Sequence, residues 1–186
     1  MQPVKAKRHS SPASLAIVAS EPHYVLASWR MVSIAVWIDD TPVSAIQAAQ
    51  GMLLRQSLEF PEGVAFLQMI GEDHQSLETP ARNALKDLLR SGRSIIRLAP
   101  VVYEGTGFRA AAVRAIVTSL LSQRSFGFPH RVYSALEAAA LAIAREFEKR
   151  EPTRFARELC EAMGDLRDHH ARAFPNAPQS FIRYKG

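Results

Sequence analysis

The feature that most constrains the fold of this chain is a regular alternation of short apolar runs with longer segments of helical periodicity. Three extended runs come first, over residues 14–20, 23–29 and 31–38. Both alternating faces of the second run are fairly apolar, which is typical of a strand that is covered on both sides. Helix and strand then alternate, and we therefore predict an α/β domain with a mixed β-sheet and helices packed on it.

Prolines, glycines and short polar residues mark the boundaries of these elements. Thr41 and Pro42 favour the start of a first helix, with threonine as the cap and proline at the first helical position. Thr79 and Pro80 repeat this chemistry, and Ser134 is the expected cap of a later helix. The pattern predicts further strands over 64–70, 94–103 and 130–133, and helices over 42–59, 80–91, 107–122, 135–150 and 154–173.

Two positions leave the strand pattern open. Arg30 and Met31 fit either a tight hairpin or an irregularity within one long strand. Pro100 lacks the N–H that a sheet ladder uses, so the run 94–103 is an edge strand, contains a bulge or consists of two pieces.

Composition divides the chain into four parts. Residues 1–12 have little to bury and are expected to form a flexible basic arm, and residues 13–150 form the α/β domain. Residues 151–174 form an extra, appended amphipathic helix at the C-terminal side, and residues 175–186 a loose tail. No apolar run reaches the roughly 18 residues of a membrane-spanning helix, and the N-terminus shows no cleavage-type export signal. We therefore expect a cytoplasmic protein without a transmembrane segment.

The formal net charge of +5 lies entirely in the two ends of the chain. Residues 1–12 carry +3 and residues 173–186 carry +2, so contact with nucleic acid or an anionic membrane is predicted only through these termini. The body is polarised along the sequence, with −6 over residues 13–81 and +7 over residues 82–131. Either two opposed surfaces steer a partner or a second copy of the chain, or the charges are solvated and mixed in space.

Three apolar stretches carry a family resemblance: Val32–Trp37, Gly63–Met69 and Ile95–Tyr103. Together with the order of the elements, they resemble the STAS family (sulfate transporter and anti-sigma factor antagonist domains) over about residues 13–150. The resemblance implies a STAS-like fold and a partner-switch or scaffold role in signalling. It also implies a phosphorylatable hydroxyl at the start of the helix after a central strand, where Ser76 and Thr79 are available. The Asp-Ser pair usual in the family is absent from this stretch.

A glycine-containing turn is the first candidate binding site. Gly105, Thr106 and Gly107 lead into a helix whose unpaired backbone N–H groups could hold a phosphate or carboxylate, and Arg109 could add further donors. The same residues also fit an ordinary strand-to-helix turn in which Thr106 is the cap. This stretch lacks the third glycine of a dinucleotide fingerprint and the Gly-Lys-Ser/Thr of a phosphate-binding loop.

The second predicted helix presents the second candidate, a basic face. Its residues follow one another at steps of four: Arg82, Lys86 and Arg90. Arg93 and Arg97 extend the basic character beyond the helix. Two interpretations are open: contact with an acidic partner or with the 59–78 region of a neighbouring copy, or a solvated helix face.

The sequence offers no recognisable set of catalytic or metal-ligating residues. Asp165 and His169 have the spacing of two metal ligands on a helix, but two ligands are too few for a structural site. Cys160 is the only cysteine, which excludes a disulfide within the chain, and the nearest histidines are more than two helical turns away. Neither a serine-hydrolase elbow nor a zinc-protease motif occurs.

We therefore predict a non-catalytic protein-interaction or signalling module without a cofactor or metal, whose partner is another protein or a second copy of itself in a homo-oligomer. Two alternatives stay open. One is a small-ligand or anion-binding domain that uses the turn 105–109. The other is a tether to nucleic acid or an anionic membrane through residues 4–9 and 183–185.

Overall fold

The strands form one mixed sheet in which their order in space is their order in the sequence. The structure, a computed structural model, describes residues 15–74, 77–103 and 126–178. Within these ranges six strands lie at Ala16–Glu21 (β1), Tyr24–Trp29 (β2), Val32–Trp37 (β3), Val64–Ile70 (β4), Ile96–Tyr103 (β5) and His130–Tyr133 (β6). The same ranges hold four α-helices, at Val43–Glu59 (α1), Thr79–Ser91 (α2), Leu136–Phe147 (α3) and Pro152–Ala173 (α4), and a 3₁₀ turn at Gly92–Ser94. The predicted α/β class with a mixed sheet is confirmed.

The sheet changes from antiparallel to parallel pairing at β3. β1 pairs with β2 and β2 with β3 in antiparallel fashion, whereas β3, β4, β5 and β6 pair in parallel. Between β2 and β3 the chain makes the tight hairpin: Trp29 pairs with Val32, and Arg30 adopts a φ of 48°. Two antiparallel steps restore the strand direction, so β1 runs the same way as β3 to β6. The ends of these strands define a carboxyl edge of the sheet, and their starts define an amino edge.

Helices cover both faces of the sheet. α1 and α2 pack on one face, and α3 and α4 pack on the other, so every residue of β3 is buried. On the α4 side the ring of Phe155 meets Trp29 edge to face, with 5.0 Å between ring centroids. The predicted amphipathic stripe of the last helix is buried against this sheet, at Phe155, Leu159, Ala162, Met163 and Leu166. None of the helices in the described ranges is long and apolar enough to cross a membrane.

The start of α1 differs by one residue from the prediction. Pro42 is the N-cap and makes no side-chain cap hydrogen bond, so the predicted cap Thr41 lies one residue earlier. The reason is tertiary, because the hydroxyl of Thr41 is bonded to His74 in a neighbouring loop. The predicted end of the helix at Glu59 is confirmed.

The starts of α2 and α3 also differ by one residue from the prediction, α2 starting earlier and α3 later. Glu78 is the N-cap of α2, and Thr79 is already its first helical residue. Ala135 is the N-cap of α3, so Ser134 lies before it rather than on it. Neither of these N-cap residues makes a side-chain cap hydrogen bond, so side-chain capping does not set these two starts.

β5 is an interior strand despite Pro100. It lies between β4 and β6, so the edge-strand alternative is wrong. The N–H of Ala99 donates to the carbonyl O of Pro129 at 2.9 Å, on the β6 side. Successive backbone groups alternate in direction, so the nitrogen of Pro100 faces β4. The β4 pairing is interrupted there, between Leu98 and Val101, so the sheet accommodates the missing N–H through a local gap in the ladder.

Candidate functional site

Two chain segments meet closely at the carboxyl edge. One follows β3 and the other follows β4, and open parallel sheets commonly bind their ligands at this edge. The amide N–H of Gly71 donates to the carbonyl O of Trp37 at 2.7 Å. A Cβ at Gly71 would lie 2.3 Å from the carbonyl O of Ile38, so only glycine permits this approach of the two backbones.

Polar side chains connect the segments at this edge. Oγ1 of Thr41 and Nε2 of His74 share a hydrogen bond of 2.7 Å, and the amide of Thr41 donates to Oδ1 of Asp40 at 2.7 Å. Close by in sequence, Nδ1 of His23 donates to Oδ1 of Asp39 at 2.8 Å. The two histidines look scattered in the sequence. The fold brings them to one edge because His23 precedes an antiparallel strand and His74 follows a parallel one. Their positions beside strand ends are the only sequence signal that they lie at the same edge.

The Thr41–His74 pair has the composition of a nucleophile and its base. A hydroxyl hydrogen-bonded to an imidazole can be activated in this way when a substrate reaches it. Thr41 is buried, however, and its contacts lead to the two adjoining segments. The bonds of this threonine therefore tie the segment after β3 to the segment after β4.

The two edges of the sheet differ in charge. Each edge comprises its loops, its strand ends and the six nearest residues of each helix. Among the described residues, the carboxyl edge holds eight acidic and two basic side chains, whereas the amino edge holds ten basic and six acidic ones. The acidic residues of the carboxyl edge are Glu21, Asp39, Asp40, Glu72, Asp73, Glu78, Glu137 and Asp168. The basic residues of the amino edge are Arg30, Arg55, Lys86, Arg90, Arg93, Arg145, Lys149, Arg150, Arg154 and Arg157.

The basic face predicted for the second helix is present on α2. Arg82 and Arg90 are exposed and Lys86 is half-buried, and the exposed Arg93 follows in the 3₁₀ turn. Nη2 of Arg82 donates to the carbonyl O of Leu77 at 3.0 Å. Nη1 of Arg90 lies 3.4 Å from Oδ1 of Asp87 in an ion pair that is open to solvent at both ends. These four cationic residues therefore form one exposed surface, which we call the α2 basic face.

Arg97 does not extend this face, contrary to expectation. It forms an ion pair with Glu146 of α3, and its guanidinium lies 5.6 Å from the centroid of the Phe147 ring. Because side chains alternate across a strand, a residue of β5 can point to the opposite side of the sheet from α2. Sequence proximity to Arg93 was therefore misleading.

Several candidates from the sequence lie outside the described residues. These are Ser76, the turn residues Gly105, Thr106, Gly107 and Arg109, and the basic segments 4–9 and 183–185. The other candidate hydroxyl, that of Thr79, belongs to an exposed residue in the first turn of α2, one helical turn before Arg82.

His170 and Cys160 of α4 pack within the domain. His170 is fully buried, and its Nε2 lies 3.1 Å from the carbonyl O of Glu21 at the end of β1. Burial lowers the pKa of His170 below its ordinary value. Cys160 is half-buried against the core on the same side of the sheet. Within the ranges that the structure describes, no three His, Cys, Asp or Glu side chains are grouped to hold a metal ion.

Comparison of the chain with protein-family models, with curated proteins and with solved structures found no match.

Proposed function

We propose that the chain is a STAS-like protein-interaction module that acts in cytoplasmic signalling by contact rather than by catalysis. The observation that carries this proposal is the α2 basic face, an exposed row of cations on a helix whose other side is buried in the core. The succession β3–α1–β4–α2–β5, with its parallel strands, is the feature on which the likeness to STAS domains rests.

The α2 basic face suits an acidic protein surface. Arginine presents several N–H donors in a planar fork that matches a carboxylate, and Arg82 and Arg90 are both exposed. Their contacts within the chain, to the carbonyl of Leu77 and to Asp87, are solvent-exposed and contribute little to stability. An acidic partner can therefore replace these contacts at small cost.

A second copy of the chain supplies one such acidic surface. Among the described residues, its carboxyl edge carries eight acidic side chains, which include Glu72, Asp73 and Glu78. Charge complementarity of this kind raises the association rate and selects the orientation of the two molecules.

Capture from native extract tests the proposal. The variant R82E/R90E should lose protein partners that the wild type retains, and raised salt should weaken the same partners. The variant R150E/R172E makes an equal charge change at two exposed residues outside the face and is the matched control. If both variants recover the wild-type set of partners, the α2 basic face is not an interaction surface.

Sedimentation velocity tests whether the α2 basic face mediates self-association. R82E/R90E should shift any oligomer toward monomer, and R150E/R172E should leave the distribution unchanged. A profile that is identical for all three proteins would exclude the α2 basic face from self-association.

A further inference from the structure

β1 lies at an open edge of the sheet. Among the described residues it pairs only with β2, so the backbone groups on its other side have no strand partner there. Glu21 pairs with Tyr24 across a two-residue turn, and because successive backbone groups alternate in direction, those of Ser20 point to the open side. The outer side of β1 therefore offers N–H and C=O groups to another strand.

The side chains of β1 give this edge little protection. Ile17 and Val18 are 37% and 38% exposed, and Glu21 at the end of the strand is its one charged residue. Natural edge strands are commonly kept apart by charged side chains, proline, short length or a bulge, and of these β1 has only its terminal glutamate and the bulge at Val18. β6, at the other end of the six-stranded sheet, has four residues, follows Pro129 and carries Arg131. Of these two strands, β1 is therefore the better suited to accept a further strand.

A second copy of the chain matches this edge in charge. When two copies of β1 pair in antiparallel fashion, a two-fold axis relates them, and each carboxyl edge lies beside the amino edge of the other copy. Among the described residues the carboxyl edge carries eight acidic and two basic side chains and the amino edge ten basic and six acidic ones, so edges of opposite net charge adjoin. The two Glu21 side chains fall at opposite ends of the paired strands, whereas parallel pairing would set these like charges side by side.

We propose that the chain forms a two-fold dimer in which β1 pairs in antiparallel fashion with β1 of a second copy and joins the two six-stranded sheets into one. Ile17 and Val18 then gain cross-strand neighbours from the other copy. Because the pairing occupies the open side of β1 in both copies, it closes at two chains. The inference goes beyond the proposed function, since β1 and the α2 basic face are separate surfaces and association through one adds to association through the other.

Two variants test the pairing in different ways. I17K/V18K places two cations per copy at the edge, which is a device that keeps natural edge strands apart. Ser20→Pro removes an N–H that points to the open side, so the pairing of β1 with β2 keeps its hydrogen bonds. L54K/L58K is the matched control for the first variant, because it makes the same charge change at two exposed leucines of α1. Cooperative thermal unfolding identifies the variants that are folded.

Sedimentation velocity of the full-length chain, from low to high micromolar concentration, measures the dimer. Wild type and L54K/L58K should show the same monomer–dimer equilibrium, whereas I17K/V18K and Ser20→Pro should raise the dissociation constant of the dimer about tenfold or more. Amide hydrogen exchange reports the backbone contact itself. Exchange at the amide of Ser20 should slow as the concentration of wild type rises, and it should stay fast in I17K/V18K.

Three results would overturn the inference. They are a wild type that stays monomeric at high micromolar concentration, a dimer that I17K/V18K leaves intact, and exchange at Ser20 that does not depend on protein concentration. The first result would leave the edge to an extended segment of another protein. All these variants retain Arg82 and Arg90, so capture of partners through the α2 basic face is tested independently.

Discussion

Replacing Gly71 by alanine should separate the two segments that meet at the carboxyl edge. The new Cβ would lie 2.3 Å from the carbonyl O of Ile38 and 3.1 Å from its carbonyl carbon. Ordinary contact begins at 3.4 Å, so the backbone must move by about 1 Å. Because the atoms in the way belong to a backbone, no side-chain rotation can relieve the overlap.

The cost follows from the contacts that this movement stretches. The Gly71–Trp37 backbone hydrogen bond and the Thr41–His74 bond are both 2.7 Å long, and either is lost when its segment moves away. Losing a hydrogen bond costs about 1 kcal/mol, and forcing extra volume into a packed site costs about 1 to 3 kcal/mol. We therefore expect Gly71→Ala to lower the free energy of unfolding by about 2 to 4 kcal/mol.

Urea denaturation of Gly71→Ala and Gly164→Ala measures this effect with an internal contrast. Gly164 lies within α4, and a Cβ there would meet nothing within 4 Å. The same substitution should therefore stabilise the protein at Gly164, by about 0.5 to 1 kcal/mol, because alanine favours the helix. Unfolding of Gly71→Ala at the wild-type urea concentration would refute the steric reasoning.

Three further predictions concern stability. Phe155→Ala removes a fully buried ring that packs on Trp29, and it should lower the free energy of unfolding, measured by urea denaturation, by about 3 to 5 kcal/mol. A decrease below about 1 kcal/mol would show that this contact does not anchor α4. Gly63→Ala should lower the free energy of unfolding by about 1 to 3 kcal/mol, because Gly63 has a φ of +103° and an added Cβ would lie 2.9 Å from the carbonyl O of Ile95. An unchanged urea midpoint would contradict this prediction. Because the pKa of His170 is lowered, the folded state binds fewer protons than the unfolded state below about pH 6.5. The contribution of His170 to the free energy of unfolding is therefore fully present above about pH 6.5. It falls as the pH drops below this value, by at most about 1.4 kcal/mol per pH unit. His170→Gln should flatten this dependence in urea denaturation at pH 7.5 and 5.5, and an equal pH response of variant and wild type would assign the dependence to other groups.

The parts of the fold that were predictable are those that local chemistry fixes. An apolar run bounded by breakers is a local signal, and the predicted strands over 64–70 and 130–133 coincide with β4 and β6. The ends of α1 and α2 are equally local. The prediction that Thr41 caps α1 is wrong because a hydroxyl that can cap a helix can also bond to a residue of another loop. In this fold the hydroxyl of Thr41 is hydrogen-bonded to His74.

The errors share one physical cause, which is that strand neighbours are not encoded locally. Pro100 indicates only that one N–H is missing, and whether that matters depends on which strand lies on that side. Arg97 is four residues from Arg93 in sequence, yet it pairs with Glu146 of α3 across the sheet. The contact of His74 with Thr41 likewise exists only because β3 and β4 are parallel neighbours.

Helix stability accounts for only part of the charge distribution. α3 has Glu137 in its first turn and Arg145 in its last, and α2 has Arg90 in its last turn, so these charges favour the helix dipole. The first and last turns of α1 carry no such charges. α4 begins at the amino edge with Arg154, and there Glu151 and Glu158 offset the cation through ion pairs. Arg82 lies near the start of α2, where a cation is unfavourable, and its side chain donates to the carbonyl O of Leu77. In the proposed contact with an acidic partner, the exposed guanidinium of Arg82 meets a carboxylate, a favourable interaction that its position in the helix does not supply.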